Sequence, residues 1–132
     1  MGVTMKRFFV FFAALTSLFV FSYCNAPQKS AMSNQHYQYG LKVLEIVDQY
    51  LDYDISAEDA YNQLGEVIQR DDSLPDAEYG SNESLGNLKV ESEAIFMHSH
   101  LLDLKYESTT EDYESLLQSR NELAGVLGKS GR

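Results

Sequence analysis

The chain has 132 residues, enough for one domain, and carries a formal net charge of −10 from 20 acidic and 10 basic side chains. So acidic a chain repels the phosphates of nucleic acids and anionic lipid headgroups, which argues against DNA or RNA binding. It favours cationic partners or simple solubility. Cys24 is the only cysteine, so an intramolecular disulfide is excluded and the domain must be stabilised by packing.

The chain opens with a basic pair and a strongly apolar run. Lys6 and Arg7 precede residues 8–23, FFVFFAALTSLFVFSY, which carry no charge. Positive residues before such a run keep the N-terminus inside and direct the rest of the chain outward. We therefore predict that residues 1–24 form a hydrophobic signal peptide or membrane anchor helix. The domain is then exported to the outer face of the cytoplasmic membrane or to the cell surface.

The end of this run, Phe21-Ser22-Tyr23-Cys24, resembles the lipobox of bacterial lipoproteins. In that family a cysteine closes the signal, is lipidated and becomes the first mature residue. The resemblance implies that Cys24 is a lipidation site, although Tyr23 stands where the family has a small residue. Two alternatives stay open, namely cleavage after Ala26, which would free the protein, and an uncleaved anchor.

The remainder predicts an acidic helical domain. Residues 25–35 are small and polar and are predicted to be a flexible tether, residues 36–128 the domain, and residues 129–132 a disordered tail. Apolar residues at helical spacing predict helices at about 37–53, 57–70, 82–106 and 110–127. Short connections make neighbouring helices antiparallel. We therefore predict an all-α fold, a small antiparallel four-helix bundle made of two helical hairpins.

The third helix carries a prominent apolar pattern, and we predict that this pattern is its buried side. Its members are Leu85, Leu88, Ile95, Leu102 and Tyr106, interrupted by Ser92 and Ser99. The helices on either side begin with capping residues followed by acids, Ser56 before Asp59 and Thr109 or Thr110 before Glu111 and Asp112. Acidic side chains suit the first turn of a helix because the helix dipole is positive there.

Two segments are similar enough to suggest an internal duplication. Residues 51–64 and 104–117 align without gaps and share five of fourteen residues. The duplication would make the two hairpins related units of one bundle. The alternative is convergence, because any helix–turn–helix with an acidic capped second helix has a similar sequence.

Calcium is the first ligand that the acidic residues suggest. Asp48, Asp52, Asp54 and Asp59 follow part of the spacing of an EF-hand loop. Tyr50 and Tyr53 stand where that loop needs an oxygen ligand and a glycine, so the aspartates are only weak calcium candidates. The alternative is an acidic capped turn.

The histidines and serines do not form a recognisable metal or catalytic pattern. His98 and His100 are two positions apart on a helix and point about 200° apart, so they cannot share a metal ion. His36 follows the predicted tether, and Ser99 has no suitably placed base. We therefore expect no metal centre, no cofactor and no enzymatic activity.

Tyrosine is abundant and gives the best functional lead. We select Tyr50, Tyr53, Tyr61, Tyr106 and Tyr113 as candidate protein-binding residues, since tyrosine is enriched at interfaces. The alternative is that they line the margin of the core. The sequence thus predicts an exported, membrane-tethered, non-catalytic module with a protein partner. The alternative function is an extracytoplasmic protein that binds calcium or a cationic ligand.

Overall fold

The computed structural model describes residues 28–132. Its helices are α1 (Asn34–Leu51), α2 (Ala57–Gln69), α3 (Asn82–Tyr106) and α4 (Thr110–Val126), and a short 3-10 turn, Asp71–Ser73, follows α2. Residues 28–132 contain no strand, so the predicted all-α class is confirmed as a helical bundle. The predicted leader and Cys24 lie outside these residues. None of the four described helices has the length and apolar character needed to cross a membrane.

Each helix begins at a hydroxyl side chain that accepts a hydrogen bond from a backbone N–H in the first turn. The pairs are Ser33 with His36, Ser56 with Asp59, Ser81 with Ser84, and Thr109 with Asp112. Such caps satisfy N–H groups that have no partner within the helix. The predicted caps at Ser56 and Thr109 are therefore confirmed. After α4, Gly128 adopts a left-handed conformation with φ of 70°, as a helix-terminating glycine does.

The longest helix, α3, packs against all three others and centres the core. Its inner face consists of Val90, Ala94, Met97, Leu101 and Leu104, all buried. The same hydrophobic core also contains Val43, Ile46, Val47, Leu51, Leu64, Leu116, Leu123 and Leu127. Burial of this inner face fixes the rotation of α3 about its own axis.

The predicted buried side of α3 is wrong. Leu85, Leu88, Ile95 and Tyr106 are between 52% and 78% exposed, and Leu102 is only partly buried. The physical reason is that α3 is apolar on two opposite sides, about 180° apart at 100° per residue. The side with the smaller residues Gly86 and Ala94 allows closer approach of neighbouring segments, and it faces inward.

The last residues of the predicted tether pack on the bundle, which differs from the expectation of a flexible segment. The Ser30 N–H donates to the Val126 carbonyl at 2.8 Å, and the Ser33 N–H donates to Asn87 Oδ1 at 2.9 Å. Gly86 makes this docking possible, because a Cβ atom there would lie 1.8 Å from the carbonyl oxygen of Ala31. Residues 28–33 therefore belong to the folded domain.

The predicted disordered tail is also in contact with the bundle. The Lys129 N–H donates to the Ala124 carbonyl at 2.7 Å, and the Ser130 carbonyl accepts from Arg120 Nη1 at 2.8 Å. The Arg132 guanidinium reaches Asp48 and Asp52 on α1. Buried Arg120 thus joins the tail to α4.

We predict that Gly86→Ala destabilises the domain. The added methyl group would clash with the backbone of Ala31, so residues 28–33 must move and the Ser33–Asn87 hydrogen bond is lost. The expected cost in free energy of unfolding is about 2–3 kcal/mol, measured by urea unfolding followed by circular dichroism.

The matched control is Gly125→Ala in α4, where no atom lies within 4 Å of the added Cβ. This variant should be neutral or more stable by up to about 1 kcal/mol, because alanine favours a helix over glycine. Equal destabilisation by both substitutions would contradict the assignment of residues 28–33 to the fold.

Candidate functional site

The candidate tyrosines fall into two groups. Tyr50 and Tyr113 are half-buried against the core, and Tyr53 is 89% exposed. Burial raises the pKa of the Tyr50 phenol, and the charge interactions with Tyr113 and Tyr53 raise it further. Tyr53 has φ of 62°, a left-handed conformation rare for a bulky residue. It turns the chain between α1 and α2.

The second group lies around Lys105. The Lys105 ammonium is 5.5 Å from the centre of the Tyr61 ring and 5.4 Å from that of Tyr106, both within cation–π range. Tyr61 also stacks on His98, with ring centroids 4.1 Å apart. Burial lowers the pKa of His98 despite a backbone hydrogen bond to Tyr61 that acts to raise it. The structure therefore gives His98 a packing role.

The calcium candidates are largely engaged in other interactions. Asp48 accepts two hydrogen bonds from Arg120, at 2.9 and 3.0 Å, and a third from Arg132 at 3.1 Å. Asp52 pairs with Arg132. Asp59 lies at the cap of α2 and Asp54 is exposed. The arginines neutralise the charge that would attract calcium to Asp48 and Asp52.

The Asp48–Arg120 pair is a bidentate contact at the edge of the core. The Arg120 side chain is only 8% exposed, and that of Asp48 is 30% exposed. Burial by itself would raise the pKa of Asp48. The hydrogen bonds and charges of Arg120 and Arg132 outweigh it, so the pKa lies below its usual value.

A polar cluster that sequence reasoning missed lies where α1, α3 and the 3-10 turn meet. We name it the His36 cluster and define it by Ser33, His36, Tyr39, Asp71 and Glu91. His36 is 2% exposed, its Nε2 lies 2.6 Å from Glu91 Oε1, and its Nδ1 lies 2.6 Å from Ser33 Oγ. A carboxylate can only accept, so Nε2 carries the proton in this contact. The imidazole is held at both nitrogens.

Asp71 completes the cluster. One oxygen of Asp71, one of Glu91 and a ring nitrogen of His36 all lie within 4.8 Å of one another. Burial, the Glu91 charge and contact with Glu91 raise the pKa of Asp71, against a smaller opposing effect of His36. Within residues 28–132, Asp71 Oδ1 and the buried Tyr39 hydroxyl have no hydrogen-bond partner.

The Tyr39 hydroxyl experiences the same two carboxylates. Its pKa is raised far above the usual value, first by burial and then by the charges of Asp71 and Glu91. The phenol is therefore neutral and available as a donor. Beside the cluster, a cleft of about 470 Å³ reaches solvent and is lined by His36, Asn87, Leu88, Glu91, Pro75 and Tyr79.

The second feature of functional interest is the open side of α3. We name it the outer stripe and define it by Leu85, Leu88, Ile95, Phe96 and Tyr106, each between 52% and 78% exposed. These positions fall within an arc of about 100° and extend over about 30 Å. Ser92 and Ser99 interrupt this arc, but several large exposed apolar side chains on one face are a feature of interaction sites.

Acidic residues border the outer stripe on both sides. Phe96 shares a cleft of about 380 Å³ with Glu93 and Glu122. Burial raises the pKa of Glu93, the Glu122 charge adds to this effect, and a hydrogen bond with Ser119 opposes it. On the other side, Leu88 borders the cleft that contains Glu91. The stripe is therefore an apolar ridge with carboxylates on both margins, and the exposed Lys89 lies on the Glu93 side.

We predict that Asp48→Asn destabilises the domain by about 2–4 kcal/mol at pH 7, because it leaves the buried Arg120 charge without its carboxylate. The exposed pair Lys42–Glu45 provides the control. Glu45→Gln should change the free energy of unfolding by less than about 0.5 kcal/mol.

The pH dependence has a defined sign. Because the folded pKa of Asp48 is lowered, its contribution is fully present above the unfolded value of about 3.9 and disappears as pH falls through the folded pKa. The gap between wild type and Asp48→Asn should therefore narrow in strongly acidic urea melts. A gap that widens on acidification would contradict this assignment.

We predict the opposite effect for Asp71→Asn. Because the folded pKa of Asp71 is raised, the folded state favours the protonated carboxyl group, and the stability that this group contributes is lost as pH rises from the unfolded value of about 3.9 through the folded pKa. In EDTA at pH 7, Asp71→Asn should raise the melting temperature by about 1–3 °C, a small effect because the side chain is partly solvated. Asp72 is the exposed neighbour of Asp71, and the control variant Asp72→Asn should not raise the melting temperature. A lower melting temperature for Asp71→Asn would show that the carboxylate is well satisfied.

Comparison with protein-family models, curated proteins and solved structures gave no significant match. Function must therefore be inferred from the two features of this chain described above, the His36 cluster and the outer stripe.

Proposed function

We propose that this protein is a non-catalytic interaction module, and that it binds a positively charged amphipathic helix along the outer stripe of α3. The observation that carries the proposal is the second apolar side of α3. A surface helix of a globular domain has one apolar side facing the core and a polar side facing water. Here the side opposite the core is also apolar, and an apolar-faced partner helix would cover it.

Charge defines the chemistry of the partner. The chain has a net charge of −10, and Glu91, Glu93 and Glu122 lie along the margins of the stripe. Lysine or arginine residues flanking the apolar face of a partner helix would complement these margins. A second copy of this chain, or an anionic membrane, would bring like charges together there.

The tyrosine candidates enter this proposal unequally. Tyr106 belongs to the outer stripe. The rings of Tyr61 and Tyr106 both lie within cation–π distance of the Lys105 ammonium. Tyr50, Tyr53 and Tyr113 form a separate group, in which only Tyr53 is largely exposed. We therefore assign Tyr106 a direct contact with the partner and the Tyr50 group a marginal role.

Export and membrane attachment form the second part of the proposal. The basic pair, the apolar run and the lipobox-like residues ending at Cys24 support attachment at the outer face of a membrane. Residues 28–33 are docked against α3 and α4. Attachment just before residue 28 would thus leave only a few free residues between the membrane and the domain.

The finer architecture is two antiparallel hairpins derived from a duplicated unit. At the 53-residue offset, Ser56 and Thr109 are both caps, and Leu51 and Leu104 are both buried. Tyr53 and Tyr106, which also correspond, are both largely exposed. These equivalences support duplication beyond the sequence identity alone.

The test uses a synthetic amphipathic helix built from leucine and lysine, with leucine on one face. The full chain in non-ionic detergent should bind it, and Ile95→Ser combined with Phe96→Ser should weaken binding about 10-fold or more. Fluorescence anisotropy of labelled peptide measures both. Because the detergent is common to all samples, peptide bound to micelles cancels in the comparison.

Two controls make the result specific. Tyr53→Ser removes an exposed aromatic ring away from the stripe and should leave binding unchanged. The double variant should have the same melting temperature as the wild type. A leucine–glutamate peptide with the same apolar face should not bind. Equal binding of both peptides would contradict the proposal that the partner helix is positively charged. Self-association of the wild type, abolished by the double variant, would instead identify a second copy as the occupant.

A further inference from the structure

We propose that His36, Asp71 and Glu91 form a binding site for a divalent transition-metal ion, with Zn²⁺ as the reference ion. The site shares Glu91 with one margin of the outer stripe, but the argument for it does not use the proposed partner helix. Its three ligand atoms come from α1, the 3-10 turn and α3, so the ion would join three parts of the bundle.

The distances suit a metal with short bonds. The three ligand atoms already lie within 4.8 Å of one another. Two Zn²⁺ bonds of about 2.0 Å at the tetrahedral angle place their ligand atoms about 3.3 Å apart. The His36–Glu91 contact of 2.6 Å would open by less than 1 Å, and the separations from Asp71, which are at most 4.8 Å, would need to change by no more than about 1.5 Å.

The unpartnered polar atoms point to a ligand independently of the spacing. The Tyr39 side chain is more than nine-tenths buried, and its hydroxyl has no partner within residues 28–132. Asp71 Oδ1 also has no partner there, although the Asp71 side chain as a whole is only partly buried. Buried polar groups are normally satisfied, since leaving one unpaired is costly. A cation between the carboxylates would use the Asp71 oxygen and offset their mutual repulsion.

The His36 ring is already placed as a ligand. The proton that Nε2 carries toward Glu91 must leave when a metal ion binds, and Nδ1 then carries the ring proton and donates to Ser33 Oγ. Ser33 Oγ lies 2.6 Å from His36 Nδ1 and leaves Nε2 directed at the carboxylates. Metal-binding histidines are typically held in this way by a hydrogen bond at the other ring nitrogen. Ser33 is in turn fixed to Asn87 through its backbone N–H. Ser33 therefore acts as a positioning residue.

The ligand set discriminates between metals. One imidazole and two carboxylates suit Zn²⁺, whereas Ca²⁺ prefers six to eight oxygen ligands and Mg²⁺ resists losing its water. Three protein ligands leave a fourth tetrahedral position. The adjacent cleft is lined by His36 and Glu91, so a water molecule or a small anion could reach that position.

The experiment titrates the full chain, in non-ionic detergent and freed of metal with a chelator, with ZnCl₂ and separately with CaCl₂. Calorimetry should give one Zn²⁺ per chain, and Zn²⁺ at 100 times its Kd should raise the melting temperature by about 10 °C. Calcium at the same concentration should have little effect. The absence of a Zn²⁺-dependent shift, or an equal shift with Ca²⁺, would overturn the proposal.

Glu91→Gln and Asp71→Asn each remove one ligand charge and should weaken Zn²⁺ binding at least 10-fold. Asp71→Asn is the sharper variant, because it should lower the melting temperature relative to wild type in Zn²⁺ but not in EDTA. A purely structural role for Asp71 would lower it in both. His100→Gln removes a partly exposed histidine outside the cluster and should bind Zn²⁺ as the wild type does. Loss of binding in His100→Gln, or unchanged binding in both ligand variants, would place the ion elsewhere and refute the site.

Discussion

The burial of the inner face of α3 is the interaction on which the rest of the structure depends. Val90, Ala94, Met97 and Leu101 are fully buried, and they contribute to a core shared with each of the other helices. Because this face takes the central position, it determines which residues of α3 point outward. The outer stripe is thus a direct geometric result of core formation, and Glu91 is turned toward His36 by the same rotation.

The local features of the fold could be predicted from the sequence. The caps at Ser56 and Thr109 involve residues three positions apart, so their signals lie within a few residues of sequence. The bounds of α2, α3 and α4 follow for the same reason. Helix α1 begins at Asn34, earlier than predicted, because its cap Ser33 lies in the segment predicted to be a tether. Which side of α3 is buried could not be read from periodicity, since both sides repeat at helical spacing. The choice depends on how the other helices fit, and no local pattern encodes that.

The polar cluster was hidden for a related reason. His36 and Glu91 are 55 positions apart, and Ser33 and Asn87 are 54 apart, so only tertiary structure brings them together. The small polar residues before α1 resemble a linker by composition. Their docking depends on the absence of a side chain at Gly86, a property of a distant helix. Of the candidate tyrosines, only Tyr53 and Tyr106 are largely exposed. The acidic calcium candidates Asp48 and Asp52 are paired with arginines from the far end of the chain.

The docking of residues 28–33 has a mechanical consequence. A pulling force applied to the chain ahead of residue 28 would reach the bundle through the Ser30–Val126 and Ser33–Asn87 hydrogen bonds before it reached any helix interior. Ser33 also caps α1 and holds the His36 ring. Tension would therefore loosen the first turn of α1 and release the imidazole while the core around Met97 remained packed. The N-terminal junction would therefore open before the core does, and the His36 cluster would be the first site to change.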